Sequence, residues 1–314
     1  MRKSTKALMA IGAAVATPII INHVIAKKAQ TRIVKRISES LYNWEYGDIR
    51  YITAGEGAPL LLIHGIYPGA GAVEFKKVID EFAKDYKVYV PDLLGFGYSD
   101  KPNVSYSAYL YVRLIKDFTE DVIGGPVVAA ASLHSAASLA ACAELNPENF
   151  SKILLISPTG TTEDVEMATD LDDHLKKALE SPILGTSFYN ALTSKKVLPN
   201  FFEYEGLAEK PDTEILDELY LSAHAGGAGG KYPIAALLAK FFNGDIKTIL
   251  EGLSTPYHII TGEITPNSRH FALWSGLGQE IPTSLVEGAR LLPHMDNPIE
   301  FYNLCKELLY TDSD

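Results

Sequence analysis

Cysteine is scarce in this chain, positive charge is outnumbered, and internal repeats and long low-complexity tracts are absent. Its 314 residues include 2 cysteines, Cys142 and Cys305, too few for a disulfide framework. Each falls within a helical pattern, so core packing is the reading for both, ahead of a disulfide or a metal site. Lys and Arg number 28 against 39 Asp and Glu, for a net charge of −11, and only the first 36 residues are basic. Binding a phosphate backbone needs a basic face, which argues against a nucleic-acid partner. No metal cluster of convincing ligand spacing occurs and no phosphate-cradling glycine loop follows a strand, so neither metal nor cofactor is expected. A composition 47% hydrophobic and 21% charged argues against disordered and fibrous classes.

A long apolar run is present at the start. "MRKSTKALMAIGAAVATPIIINHVIAKK" opens with basic residues, continues through mainly apolar positions from Ala7 to Ala26, and closes on Lys27 and Lys28. About twenty apolar residues span a bilayer, so residues 1–36 read as an uncleaved membrane anchor followed by a basic linker. Two alternatives stay open. A signal peptide could be cut after Ala14-Val15-Ala16, although the apolar run continues past that site through Ile19-Ile20-Ile21. Pro18, Asn22 and His23 suit a helix lying on the membrane surface. The larger basic cluster (Lys27, Lys28, Arg32, Lys35, Arg36) follows the segment, which leans toward a cytoplasmic main domain.

Beyond residue 36 short β-rich runs alternate with helical patterns: "DIRYITAG", "PLLLIHG", "KVYVPDL", "PVVAAAS", "KILLISP", "PYHIITG" and "TSLVEGA". Most are continuously apolar, as strands covered on both faces are, and this predicts an α/β fold with a mainly parallel sheet. About a hundred residues separate "KILLISP" from "PYHIITG", far more than one crossover uses. Residues 160–240 therefore read as an inserted helical cap between two parts of a core, 37–159 and 241–314.

Ser132 ends the strand "PVVAAAS" where a helix begins, a place where a sharp turn can lift a hydroxyl clear of the sheet and the helix N-terminus offers N–H groups to an oxyanion. A structural N-cap serine would look the same. "LLLIHGIYPGAG" ends another strand in His-Gly, so that the N–H groups of Ile66 and Leu133 could face each other as an oxyanion hole. "VYVPDLLGFGYSDKP" then places Asp92, Gly95, Phe96, Gly97, Ser99 and Pro102 in the turn after the next strand. These segments, in this order, resemble the α/β-hydrolase family, more closely its capped branch of esterases, lipases, epoxide hydrolases and haloalkane dehalogenases. The resemblance covers residues 45 to 310 and implies an eight-stranded, mostly parallel sheet flanked by helices, with a cap after the sixth strand. It also implies that Ser132 is the nucleophile; a serine there points to ester, thioester or amide hydrolysis rather than dehalogenation or epoxide opening.

Three departures follow. The family's G-x-S-x-G has Ala130 and His134 where glycines belong, Thr265 stands at the usual acid, and Leu291 stands at the usual histidine of "GARLLPHMDNPIEF". The remaining candidates are His294 as base, with Glu263 or Asp296 as acid; His134, two residues along a helix from Ser132, points elsewhere. Losing the nucleophile or the histidine of such a triad costs about a million-fold in turnover. Two readings result: a membrane-anchored serine hydrolase of small or lipid-like esters with a rearranged triad, or a non-catalytic binding or scaffold protein on the same fold.

Overall fold

The computed structural model describes residues 17–25, 27–28, 39–160, 168–264 and 281–310. Its frame is one sheet of 8 strands: β1 (Glu39–Trp44), β2 (Gly47–Ala54), β3 (Ala58–Ile63), β4 (Tyr86–Pro91), β5 (Val127–Ser132), β6 (Phe150–Ile156), β7 (Tyr257–Gly262) and β8 (Thr283–Val286), in the order β1-β2-β4-β3-β5-β6-β7-β8. β1 and β2 pair antiparallel, as do β2 and β4, and all other neighbours are parallel. The expected fold class is the one observed.

Side-chain alternation divides the central strands between two apolar layers. Leu61, Ile63, Ala129, Ala131, Ile153 and Leu155 join the layer that contains α2 (Ala108–Phe118) and α3 (Leu133–Leu145). Leu60, Leu62, Ala130, Leu154 and Ile156 join the other, with α1 (Ile79–Phe82) and Phe301 and Cys305 of the C-terminal helix. Ser132 follows Ala130 by two positions, so it is directed to this second side. Both cysteines are free and buried, and burial pushes the Cys142 thiol up to about 12.

Between β6 and β7 the chain forms α4 (Asp170–Glu180), α5 (Leu184–Leu192), α6 (Leu198–Tyr204), α7 (Thr213–His224), α8 (Lys231–Leu238) and α9 (Ile246–Gly252). After β8 come α10 (Pro293–Asp296) and α11 (Pro298–Tyr310). The approach to α10 is pinned to the helical insertion, because the amides of Leu291 and Leu292 donate to the carbonyls of Gly206 (3.2 Å) and Leu207 (2.6 Å). Residues 17–25 form a helix. Among the described residues no helix is long and apolar enough to cross a membrane; residues 1–16, the first part of the expected anchor, lie outside the described residues.

The turn after β4 shows why its sequence is constrained. The Asp92 carboxylate accepts from the amides of Ala72 (2.7 Å) and Tyr98 (2.8 Å), tying together two loops at the C-terminal edge of the sheet. Gly97 closes over it at φ +53°, and a Cβ there would lie 1.9 Å from Asp92 Cγ. Gly97→Ala is therefore expected to lower folding stability by about 3 kcal/mol, combining backbone strain with displacement of a buried carboxylate. Urea unfolding of the two proteins measures the difference.

Candidate functional site

The corner between β5 and α3 is built by Leu133. Ser132 has extended backbone (φ −110°, ψ 151°) and ends the strand, whereas Leu133 takes the left-handed conformation at φ +52°. A leucine in that region costs about 1–2 kcal/mol, so the surroundings must enforce it. They do: Leu133 is buried in the core, and Gly65 presses against it so closely that a Cβ at residue 65 would fall 2.9 Å from Leu133 Cδ1 and 3.1 Å from Ser132 Oγ. Ser132 ends the strand where the helix begins, as expected, but the strained position that would present a nucleophile is the next residue, Leu133. The reason is register: Ser132 still pairs with Ile156 of β6, so the chain cannot turn before residue 133.

Ser132 is fully buried and its hydroxyl donates to Oε1 of Glu74 at 2.5 Å. Glu74 sits in a 3₁₀ turn, Ala72–Phe75, that follows the His-Gly loop. His294, on α10, is also fully buried, and its Nε2 meets the same carboxylate oxygen at 2.9 Å. The amide of Gly65 donates to Oε2 at 2.9 Å. The Tyr67 phenol lies beside this carboxylate, and burial first, then the Glu74 charge, pushes its pKa up. The His294 ring stacks on Phe75 with centroids 4.5 Å apart, and its Nδ1 has no partner among the described residues.

Glu74 is therefore the hub of the cluster, and it was not among the residues singled out from sequence. Burial alone would raise its pKa; the hydrogen bond and charge of His294 outweigh this, with help from the Ser132 hydroxyl, and hold it below the usual carboxylate value. The signal was present in "GIYPGAGAVEF", where Glu74 is the lone charged residue of an apolar, small-residue loop.

Other expected site residues are not brought to this cluster. Glu263 is exposed, and its Oε2 accepts from the Gly288 amide at 3.2 Å, bracing the turn after β8. Asp296 accepts from the amides of Glu209 (2.8 Å) and Arg290 (2.9 Å) instead of facing His294. Ile66 and Leu133 are both buried, but with Leu133 at the vertex the first amide beyond the corner belongs to His134. His134 packs edge-on to Phe242, and burial lowers its pKa to about 4. His64 accepts from the Leu93 amide through Nε2 at 3.0 Å, and Nδ1 meets the Gly65 carbonyl at 2.7 Å, so it braces the loop. His258 pairs with Ser284 across β7 and β8. Leu291 is buried in the core; Thr265 and His270 lie outside the described residues.

Chemically, the serine hydroxyl points its proton at a carboxylate, and among the described residues no imidazole is hydrogen-bonded to the serine oxygen. A carboxylate held below its ordinary pKa is a weak general base at neutral pH. A nearby recess of about 130 Å³, lined by residues including Lys77, Lys210, Asp212 and Asp296, does not include Ser132. It is also smaller than pockets that enclose drug-sized ligands, roughly 300 Å³ upward.

Three expectations follow. Ser132→Ala should lower stability by about 2 kcal/mol, the scale of a hydrogen bond to a charged group, and Glu74→Ala by about 3–5 kcal/mol, because it strips the partners from three buried polar groups. Because the folded pKa of Glu74 is depressed, its stabilisation is complete above the unfolded value of about 4.3 and is lost as pH falls through the folded one. The stability gap between wild type and Glu74→Gln should therefore be flat from neutral pH down to about that value and shrink below it. Urea titrations across this range would measure it.

The fold and this geometry can be set beside known proteins. Residues 60–304 match the model of the alpha/beta hydrolase family. A 2-hydroxy-6-oxo-6-(2'-aminophenyl)hexa-2,4-dienoic acid hydrolase from Metapseudomonas resinovorans is 30% identical over 151 residues, 47% of this chain and 49% of the relative. The chain thus matches about half the length of that curated relative. A 2-hydroxymuconate semialdehyde hydrolase from Pseudomonas sp. (strain CF600) is 48% identical over 50 residues, 16% of this chain and 18% of the relative. Among solved structures, a serine hydrolase involved in carbazole degradation superposes with TM-score 0.70 at 19% identity, covering 86% of this chain and 98% of that one. A membrane phospholipase A gives TM-score 0.68 at 18% identity, over 98% of this chain and 96% of the other. These matches support a hydrolase at the level of the family, and with the family model spanning most of its length the chain belongs to the alpha/beta hydrolase family.

Proposed function

We propose that this chain is a membrane-associated, non-catalytic member of its family, using the hydrolase fold to bind a small or lipid-like ligand. The observation that carries the reading is Leu133 at the vertex of the strand-to-helix corner, in the conformation that would present a nucleophile. An aliphatic side chain cannot attack a carbonyl. Leu291 at the place where the family resemblance puts the base agrees with it, and no tuning of its surroundings makes leucine accept a proton. Membrane association rests on the apolar run from Ala7 to Ala26 and the lysines that follow it.

A second reading is favoured by a specific observation: Ser132, Glu74 and His294 form a continuous hydrogen-bonded chain. In that reading Ser132 Oγ attacks the ester carbonyl while Glu74 takes its proton and passes it to the departing alcohol, water deprotonated by Glu74 then hydrolyses the acyl-serine and returns the proton to Ser132, and His294 holds the Glu74 side chain in place. It requires that substrate reach a hydroxyl with no exposed surface.

A fluorophosphonate probe separates the two. The wild-type protein is expected to remain unlabelled and to leave p-nitrophenyl esters at the background rate, while Leu133→Ser combined with Leu291→His should acquire labelling at residue 133. Stoichiometric wild-type labelling that disappears in Ser132→Ala would establish the hydrolase and overturn the non-catalytic reading.

A further inference from the structure

The N-terminal helix and the helical insertion share a surface. Along residues 17–25 the half-buried positions are Pro18, Asn22 and Ile25, spaced as one face of a helix, and the rest are exposed. Asn22 is held at both ends of its amide: Nδ2 donates to Ser187 Oγ at 3.2 Å and Oδ1 accepts from Asn190 Nδ2 at 2.8 Å. Ser187 and Asn190 are successive-turn neighbours on α5, so one polar residue of the N-terminal helix, flanked on its face by Pro18 and Ile25, is held by two polar residues of α5.

The apolar stripes are left outward. On the N-terminal helix Ile19, Ile20, Ile21 and Val24 are exposed, Ile20 by 62%. On α5, Leu184 is 75% and Phe188 is 44% exposed, four residues apart and therefore on one face. Large exposed apolar side chains on two helices joined by hydrogen bonds point to an interaction site. Lys27 and Lys28 follow the helix, also exposed, in a chain whose net charge is −11. Apolar side chains flanked by a local cationic cluster complement an anionic bilayer surface.

We propose that Leu184 and Phe188 of α5, joined to the N-terminal helix through Asn22, form a second membrane contact that seats the helical insertion on an anionic lipid surface. The inference rests on the membrane association proposed above and adds which face of the folded domain meets the lipid. The bilayer is favoured over a second copy of the chain because the basic run Lys27, Lys28, Arg32, Lys35 and Arg36 would face its own duplicate in a symmetric pairing.

The test uses the full-length protein carrying Phe188→Cys labelled with an environment-sensitive nitrobenzoxadiazole dye; both native cysteines are buried, so labelling is directed to residue 188. Ile299→Cys on α11, at the surface and away from the helical insertion in sequence, serves as the control. With vesicles of equal parts phosphatidylcholine and phosphatidylglycerol, the protein should float with the lipid. The dye at residue 188 should lose most of its emission when a doxyl-lipid quencher is included, and the dye at residue 299 should not. Flotation without quenching at residue 188 would overturn the second contact and leave the N-terminal anchoring standing. Failure to float would overturn both. A blue shift at residue 188 that grows with protein concentration in the absence of vesicles would assign the face to a second copy and overturn the lipid assignment.

Discussion

A fully buried carboxylate is the constraint around which this end of the sheet is organised. An isolated ionised group in the interior costs many kcal/mol, so Glu74 can be buried charged only where donors converge on it. Its partners come from separate parts of the chain: Gly65 from the turn after β3, Ser132 from the end of β5, and His294 from α10. None of these donors can be withdrawn without exposing the charge of Glu74 to an apolar layer that includes Phe75, Ala130 and Phe301. The cluster accordingly fixes how α10 meets the sheet. It also gives Ser132 a reason to be serine that needs no reaction.

The same end of the sheet keeps a feature whose usual justification is chemical. Left-handed backbone at a leucine is tolerated only where packing over-determines it. At Leu133 the enforcing elements are a strand paired on both sides, a helix packed against the sheet, and a glycine whose missing Cβ allows the His-Gly loop to approach. A parallel strand followed by a tightly packed helix requires a sharp reversal whatever side chain stands there. Fold and reactivity therefore separate cleanly: the corner follows from β5 and α3, and the chemistry depends on one side chain at its tip.

Much of the architecture was legible in the residues. Strands β2 to β8 coincide with apolar runs such as "PLLLIHG" and "KILLISP", because strands covered on both faces leave little room for polar residues. β1 was not picked out from its own residues: "ESLYNW" pairs on one side alone, and an edge strand need not be continuously apolar. The site was read less well for two physical reasons. The strand ends at Ser132, as the residues indicated, but the left-handed backbone falls one residue later, at Leu133, and spacing alone does not show which residue takes it. Glu74 became central only through contacts with residues 58 and 220 positions away in sequence, which no local pattern reveals.

Stability and catalysis make opposite demands on this cluster. A general base works best with a pKa near the working pH and with its proton donor shared with the substrate. Glu74 is instead driven down by the groups that pair with it, and each group that lowers it further also makes the folded state more dependent on its staying ionised. Protonating it in a catalytic cycle, by transfer of the Ser132 proton, would weaken its pairing with His294, which meets the same oxygen. A hydroxyl so committed can become reactive only if the carboxylate releases it, and release leaves a buried charge less well solvated. The arrangement favours holding three chain segments together over moving a proton between them.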